Sequence, residues 1–155
     1  MNTSTVAPHL GFIGLGKMGG PIARRLIQHG NRVTVYDIDA RALDVAVKAG
    51  GRLAASPKAV ASEAQLVFTC LPALDIVHEV VLGADGVCYG SSVETLVDCS
   101  TTGPEFARNL CAGLAKHDIA MLDSPVSGGV QRAREGQLSI IMSGNPKVYA
   151  RVAAV

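Results

Sequence analysis

The chain has 155 residues, a net charge of +1 and 17% charged residues, below the usual charged share of about 25%. With 48% hydrophobic residues it can bury one domain's core, which excludes a disordered chain. Fourteen Lys+Arg against thirteen Asp+Glu, and 4% aromatics without Trp, leave neither the basic excess nor the stacking surface of a nucleic-acid binder.

The opening MNTSTVAP has no basic or apolar signal region and reads as a flexible tail over residues 1–8, ahead of a domain over 9–155. His9 to Gly14 is a short apolar strand ending in glycine. Met18, Ile22 and Leu26 recur at helical spacing, so a helix runs from about Met18 to His29, with Pro21 in its first turn and Gly30 as its stop. Arg24 and Arg25 are read as its solvated face. Arg32 to Asp37 is a second strand, Ala40 to Ala49 a helix closed by Gly50-Gly51, and Arg52 to Ala54 a short third strand. Ser56-Pro57 opens the next helix as N-cap and first residue.

Gln65 to Leu71 is apolar on both faces, as a central parallel strand should be. Pro72 stops it and a helix follows to about Val81. Thr95 to Cys99 is a strand, Glu105 to Lys116 a helix, and Ile119 to Leu122 a sixth strand. Asp123 to Gly129 is then a loop, Val130 to Arg134 one helical turn, and Gln137 to Met142 a strand. The link before that strand is too short for a crossover helix, so it runs antiparallel. Asn145 caps a final helix still running at Val155, as if the chain were cut. Val148, Val152 and Val155 form a stripe on that helix that expects a partner surface, so a homo-oligomer is expected. The alternation gives an α/β fold of the Rossmann type, a doubly wound and mostly parallel sheet with a late antiparallel strand.

No apolar stretch approaches the ~18 residues of a membrane span, so no membrane partner is expected and the protein is placed in the cytoplasm. Cys70, Cys88, Cys99 and Cys111 show no metal spacing and read as small buried hydrophobes in a reducing compartment; no metal is expected. His9, His29, His78 and His117 share no spacing and read as surface residues.

The chemistry sits in Gly14-Leu15-Gly16-Lys17-Met18-Gly19, a G-x-G-x-x-G between a strand and a helix. Gly14 permits the tight turn, Gly16 leaves room for a pyrophosphate, and Gly19 lets helix and strand approach. The helix N-terminus offers free N–H groups. Asp37 lies 23 residues after Gly14, near the offset of about 20 at which an acid meets the ribose hydroxyls. A carboxylate there favours NAD over NADP, although Arg41 one turn on could neutralise a 2′-phosphate. Gly11 to Lys17 also spells most of a P-loop, but Met18 stands where a Ser or Thr would hold Mg²⁺. A methyltransferase would share the turn and the acid; the late antiparallel strand and the Asp123 to Gly129 loop count against it.

Five strings occur in order: GFIGLGKMGGPIARRL, TCLP at Thr69 to Pro72, DCSTTGP at Asp98 to Pro104, DSPVSGG at Asp123 to Gly129, and GQLSIIMSG at Gly136 to Gly144. The series resembles the β-hydroxyacid dehydrogenase family, within it the 3-hydroxyisobutyrate dehydrogenase group. The resemblance implies that Leu71 and Pro72 line the adenosine–ribose path and that Thr101 sits beside the nicotinamide ribose. Ser127, Gly128 and Gly129 would hold the carboxylate of a small hydroxycarboxylate substrate. The alternatives are helix capping for Ser100 and Thr101, and a plain turn for Asp123 to Gly129. Ser124 stands where the family often has Ala, and Ile76 where some members have Asn. The family's catalytic lysine, in a K-x-x-x-N segment, would lie beyond Val155 with a helical substrate domain. Lys147 has Arg151 four residues on and does not match. The resemblance implies an oxidoreductase whose chemistry this chain alone lacks; the alternative is a stand-alone dinucleotide-binding module.

Overall fold

Four-residue strands buried along their whole length can only be the centre of a sheet covered on both faces. In the computed structural model, which describes residues 8–153 and 155, these are β1 (Leu10–Ile13), β4 (Leu66–Thr69) and β5 (Thr95–Asp98). All but Pro8 of the tail expected over residues 1–8 lies outside the described residues. In chain order the elements are β1, α1 (Gly19–Gln28), β2 (Val33–Tyr36), α2 (Ala40–Lys48), β3 (Arg52–Leu53), α3 (Pro57–Glu63), β4, α4 (Leu74–Leu82), β5, α5 (Pro104–Ala115) and β6 (Ala120–Asp123). There follow β7 (Val126–Ser127), α6 (Gly129–Glu135), β8 (Ser139–Ile140), β9 (Ser143–Gly144) and α7 (Pro146–Val152).

The main sheet has the order β3-β2-β1-β4-β5-β6-β9. Every pairing is parallel except β6 with β9. The doubly wound α/β architecture is therefore the observed one. One face carries α3, α4 and α5, whose Val60, Val77 and Leu110 pack with Ile13, Val67 and Leu96. The other carries α1, α2 and α7, whose Ala23, Ala46 and Val148 pack with Phe12, Val35 and Leu122. Phe12 and Phe68, in register on β1 and β4, stack with centroids 6.0 Å apart. Burying each such side chain contributes roughly 1.5–3 kcal/mol.

The local signals act as expected at several helix starts. The Ser56 hydroxyl accepts from Ala59 N at 3.2 Å, with Pro57 in the first turn. Asn145 Oδ1 accepts from Lys147 N at 2.9 Å. Neither Ser100 nor Thr101 caps α5, because Gly103, at φ +80°, holds the N-cap position.

The late region departs from expectation. The strand expected over Gln137 to Met142 is only β8, which pairs antiparallel with β7 in a separate two-stranded sheet, and β9, just beyond that run, takes the antiparallel place beside β6. The run has no alternation to hold one register, since Ile140 and Ile141 are both exposed while Leu138 and Met142 are half-buried. The single turn expected over Val130 to Arg134 is a helix of seven residues. Val148 and Val152 face the chain's own sheet, each 6% exposed, so two of the three stripe residues are covered within the chain, while Val155 is 37% exposed.

Three further readings change. Arg25 is half-buried: a Cβ at Gly136, the C-cap of α6, would stand 2.6 Å from its Nη2, so the guanidinium lies across that helix end. His9 is half-buried and bonded. Thr34 Oγ1 donates to Glu63 Oε2 at 3.0 Å, so His9 Nε2 donates to Thr34 across 2.8 Å, and burial lowers the imidazole pKa. Cys111 is exposed, because α5 turns Ala107, Leu110 and Leu114 inward and leaves Cys111 outside. No described helix is long and apolar enough to cross a membrane.

Candidate functional site

Order β3-β2-β1-β4-β5-β6 reverses direction between β1 and β4, and the crevice beyond the strand ends there is where such sheets take ligands. A cleft of about 780 Å³ occupies that place. Its wall on the β1 side is the glycine turn. Gly14 has φ +93°, and a Cβ there would lie 2.3 Å from the carbonyl oxygen of Cys70, so no other residue fits. A Cβ on Gly19 would lie 1.8 Å from the Gly14 oxygen. Gly16 is different: nothing stands within 4 Å of a Cβ there, and the position borders the cleft. A Cβ at Gly16 would clash with no protein atom and would instead enter the cleft's mouth.

Asp37 closes the β2 side. Its Oδ2 accepts from Leu15 N at 2.5 Å and its Oδ1 from Asp39 N at 2.8 Å. The carboxylate is thus clamped by the turn it faces, with a second acceptor site left on each oxygen. Ile38, 91% exposed, stands beside it on the cleft wall, opposite the apolar Leu71, Pro72 and Ile76. Arg41 does not line the cleft; its backbone N–H is engaged by the Asp39 side chain that caps α2.

The floor comes from β4 and β5. Ser100 Oγ accepts from Leu71 N at 2.9 Å and joins the two strand ends. Ser100 N and Thr69 Oγ1 both donate to Asp98 Oδ1, at 3.1 and 2.9 Å, and Asp98 is fully buried. Burial, with Asp98 nearby, pushes the Cys70 thiol up to about 11. Cys99 is also raised, by burial first and then by Cys70 and Asp98. Both thiols stay protonated at neutral pH and are poor nucleophiles.

The far end is β7 and the start of α6. Ser127, Gly128 and Gly129 line the cleft there, and the glycines have φ of +133° and +74°. A Cβ on Gly128 would meet the stem of Arg132 at 2.8 Å.

The cleft therefore brings together Gly14, Gly16, Lys17, Met18 and Gly19 with Asp37, Leu71, Pro72 and Thr101, and adds Ser127 to Gly129. Leu15 is the exception: its side chain is 5% exposed and packs in the core beside Phe12, so it can offer only backbone. Sequence reasoning passed over Tyr36, Ile38, Cys70, Cys99 and Val126, which also line the cleft. All are strand-end neighbours of singled-out residues, which is the signal that could have found them. The ionisable lining groups among the described residues are Lys17, Tyr36, Asp37, Cys70 and Cys99. No histidine is among them, nor is Lys147. No group of three or more potential metal ligands occurs among the described residues.

The sequence matches, over residues 9–155, the family described as the NAD binding domain of 6-phosphogluconate dehydrogenase. The chain belongs to that family. The NAD-binding domain is 40% identical over 147 residues to 3-hydroxyisobutyrate dehydrogenase of Pseudomonas aeruginosa, covering 94% of this chain and 49% of the relative. It superposes with a TM-score of 0.88, at 28% identity, on Mycobacterium tuberculosis 3-hydroxyisobutyrate dehydrogenase solved with L-serine, covering 95% and 50% of the two chains. For Psf3 in complex with NADP+ and 2-OPP the TM-score is 0.87 at 34% identity, covering 94% and 52%. The chain thus spans about half the length of the relatives it matches. An adenine dinucleotide fits what the NAD-binding domain presents: an open cradle at Gly16, an anchored carboxylate at Asp37, and apolar walls beyond it.

Proposed function

We propose that this chain is the cofactor-binding half of an oxidoreductase that moves a hydride between a small β-hydroxy acid and a nicotinamide dinucleotide, with NAD preferred to NADP. The observation that carries the reading is the cleft at the β1–β4 crossover, open at Gly16 and closed at its β2 side by a carboxylate held from Leu15 N. The turn from Gly14 to Gly19 takes the pyrophosphate, with the α1 N–H groups and Lys17 facing its charge. Asp37 accepts from the adenosine ribose hydroxyls. Leu71 and Pro72 line the adenosine–ribose path, and Thr101 stands beside the nicotinamide ribose. Ser127, Gly128 and Gly129 hold the substrate carboxylate. When bound, the nicotinamide supplies the hydride acceptor.

Neither the thiols nor the carboxylate of the cleft is placed to take the proton. Cys70 and Cys99 hold their protons at neutral pH, and Asp37 is engaged at the opposite end. The resemblance places the general base on a lysine beyond residue 155, in the half of the relatives that this chain does not span. This chain alone therefore binds without turnover.

Titration of NAD and NADP, followed by calorimetry, tests the cofactor assignment. NAD should bind about tenfold more tightly, because a 2′-phosphate would face the Asp37 carboxylate. Asp37→Ala should narrow the gap. Equal affinities for the two in the unaltered chain would remove Asp37 from the ribose site.

A further inference from the structure

A second groove, of about 620 Å³, adjoins the glycine turn and is walled by α1, α2 and α6. It shares only Gly16 and Lys17 with the cleft. Its charge is one-sided. Lys17 stands on the turn, Arg24 and Arg25 on α1 and Arg134 on α6, and no Asp or Glu lines it. Arg24 shares a face of α1 with Gln28, and Arg134 a face of α6 with Val130, each pair four residues apart. None of the four cations enters an ion pair among the described residues. The acids of the walling helices are engaged elsewhere: Asp44 of α2 pairs with Lys48, and Glu135 of α6 accepts from Gln131. Arg25 is committed to the end of α6 beside Gly136, whereas Lys17, Arg24 and Arg134 are exposed. Leu15 and Ala46, both buried, give the groove an apolar lining between those charges.

We propose that this groove is a second binding site, for a small organic anion with two or more carboxylate or phosphate groups, and that such an anion opposes dinucleotide binding through Lys17. The volume lies within the range of about 300–1,000 Å³ that holds organic ligands. Cations on three separate elements call for more than one charged group, and guanidinium forks match carboxylates and phosphates in two-point geometry. Like charges gathered without counter-charge repel one another, and an anion entering among them relieves that repulsion. The opposition follows from the shared border. A pyrophosphate on the turn and an anion in the groove face the same ammonium, at Lys17, and repel each other across it. This coupling rests on the dinucleotide reading given above; the anion site itself does not.

Citrate, with three carboxylates, is the probe and acetate the single-charge control, with ionic strength held constant by sodium chloride. By calorimetry the unaltered chain should take up one citrate, about tenfold or more tightly than acetate. Arg24→Gln combined with Arg134→Gln should weaken citrate about tenfold. Both side chains are exposed, so the circular dichroism spectrum should not change. Saturating citrate should raise the NAD dissociation constant about fivefold, and NAD should weaken citrate by the same factor, as linkage requires. In the double variant, at that citrate concentration, the ratio of NAD affinities with and without citrate should fall to about one. Citrate binding no tighter than acetate, or equally tight in the double variant, overturns the site. An NAD affinity indifferent to bound citrate overturns the coupling. Antagonism that persists undiminished in the double variant puts citrate on the pyrophosphate turn itself and overturns the proposal. Failure of the unaltered chain to bind NAD overturns the dinucleotide reading instead, and the citrate measurements still decide the site.

Discussion

The two ends of the cleft are built differently. The β1–α1–β2 end stands on four-residue strands buried in the sheet, and its glycines are fixed by backbone: Gly14 against the Cys70 carbonyl, Gly19 against that of Gly14. The β7–α6–β8 end stands on strands of two residues outside the main sheet, with Ser139 and Ile140 both exposed. Gly128 there is hemmed in by side chains, the stem of Arg132 and then Leu138. Backbone against backbone cannot yield, whereas a long side chain can. The proposed cofactor end is thus rigidly built, and the proposed substrate end is a thin, exposed wall.

Turnover is the largest effect that could break this comparison. The chain, offered NAD with 3-hydroxyisobutyrate, glycerate or threonate, should give no significant NADH absorbance. General-base help is typically worth 10²–10⁴-fold, and enclosure of the substrate adds to it. A protein extended through the half of its relatives that this chain does not span should turn over. Comparable rates from both would show that the base lies among these residues and that the substrate end is already complete.

Stability tests the same contrast. Gly19→Ala forces a Cβ to within 1.8 Å of a main-chain oxygen and should lower unfolding free energy by about 3 kcal/mol or more in urea titration. Gly128→Ala pays for its positive φ but can displace Arg132, and should cost only about 1–2 kcal/mol. Equal losses would mean that the two ends are equally rigid. Gly16→Val sharpens the comparison further. It should leave the melting curve and circular dichroism nearly unchanged while weakening NAD binding by roughly tenfold or more, since the added side chain enters the pyrophosphate's space. An unchanged dissociation constant would make the glycine turn structural only.

The same contrast governs what the sequence could reveal. Phe12, Val35 and Phe68 lie in runs buried on both faces, so composition alone marks them as central strands. The glycine turn is legible because each glycine answers a local steric demand. Gln137 to Met142 holds an antiparallel strand as expected, but a short one, because nothing in the run alternates and its pairing with Val126-Ser127 is decided across a loop. The stripe of Val148 and Val152 looked unpartnered because its partner is β6, some thirty residues back. Leu15 shows a subtler limit: motif membership does not say whether side chain or backbone does the work. Asp98 was read past for a related reason. An acid closing the apolar run Thr95 to Cys99 was visible, but its bonds to Thr69 and Ser100 exist only once β4 and β5 are in register.

The smallest expected effect concerns the floor that joins the two ends. Cys70 is raised from the ordinary thiol value of 9.0 to about 11, chiefly by burial and then by Asp98. Its thiol is therefore favoured in the folded chain, and the unfolded chain ionises first as pH rises. The sign follows from linkage: the stability contributed by the neutral thiol is fully present below pH 9.0 and is lost as pH climbs toward 11. Urea titrations should accordingly show stability falling across that window, and falling less steeply in Cys70→Ala. Alkylation of Cys70 by iodoacetamide, read by mass spectrometry, should still be accelerating at pH 10. Bound NAD should slow the Cys70 reaction and leave Cys111 untouched, because Cys70 lines the cleft and Cys111 does not. Equal protection of both thiols would point to a global tightening of the fold in place of occupancy over the β4–β5 floor.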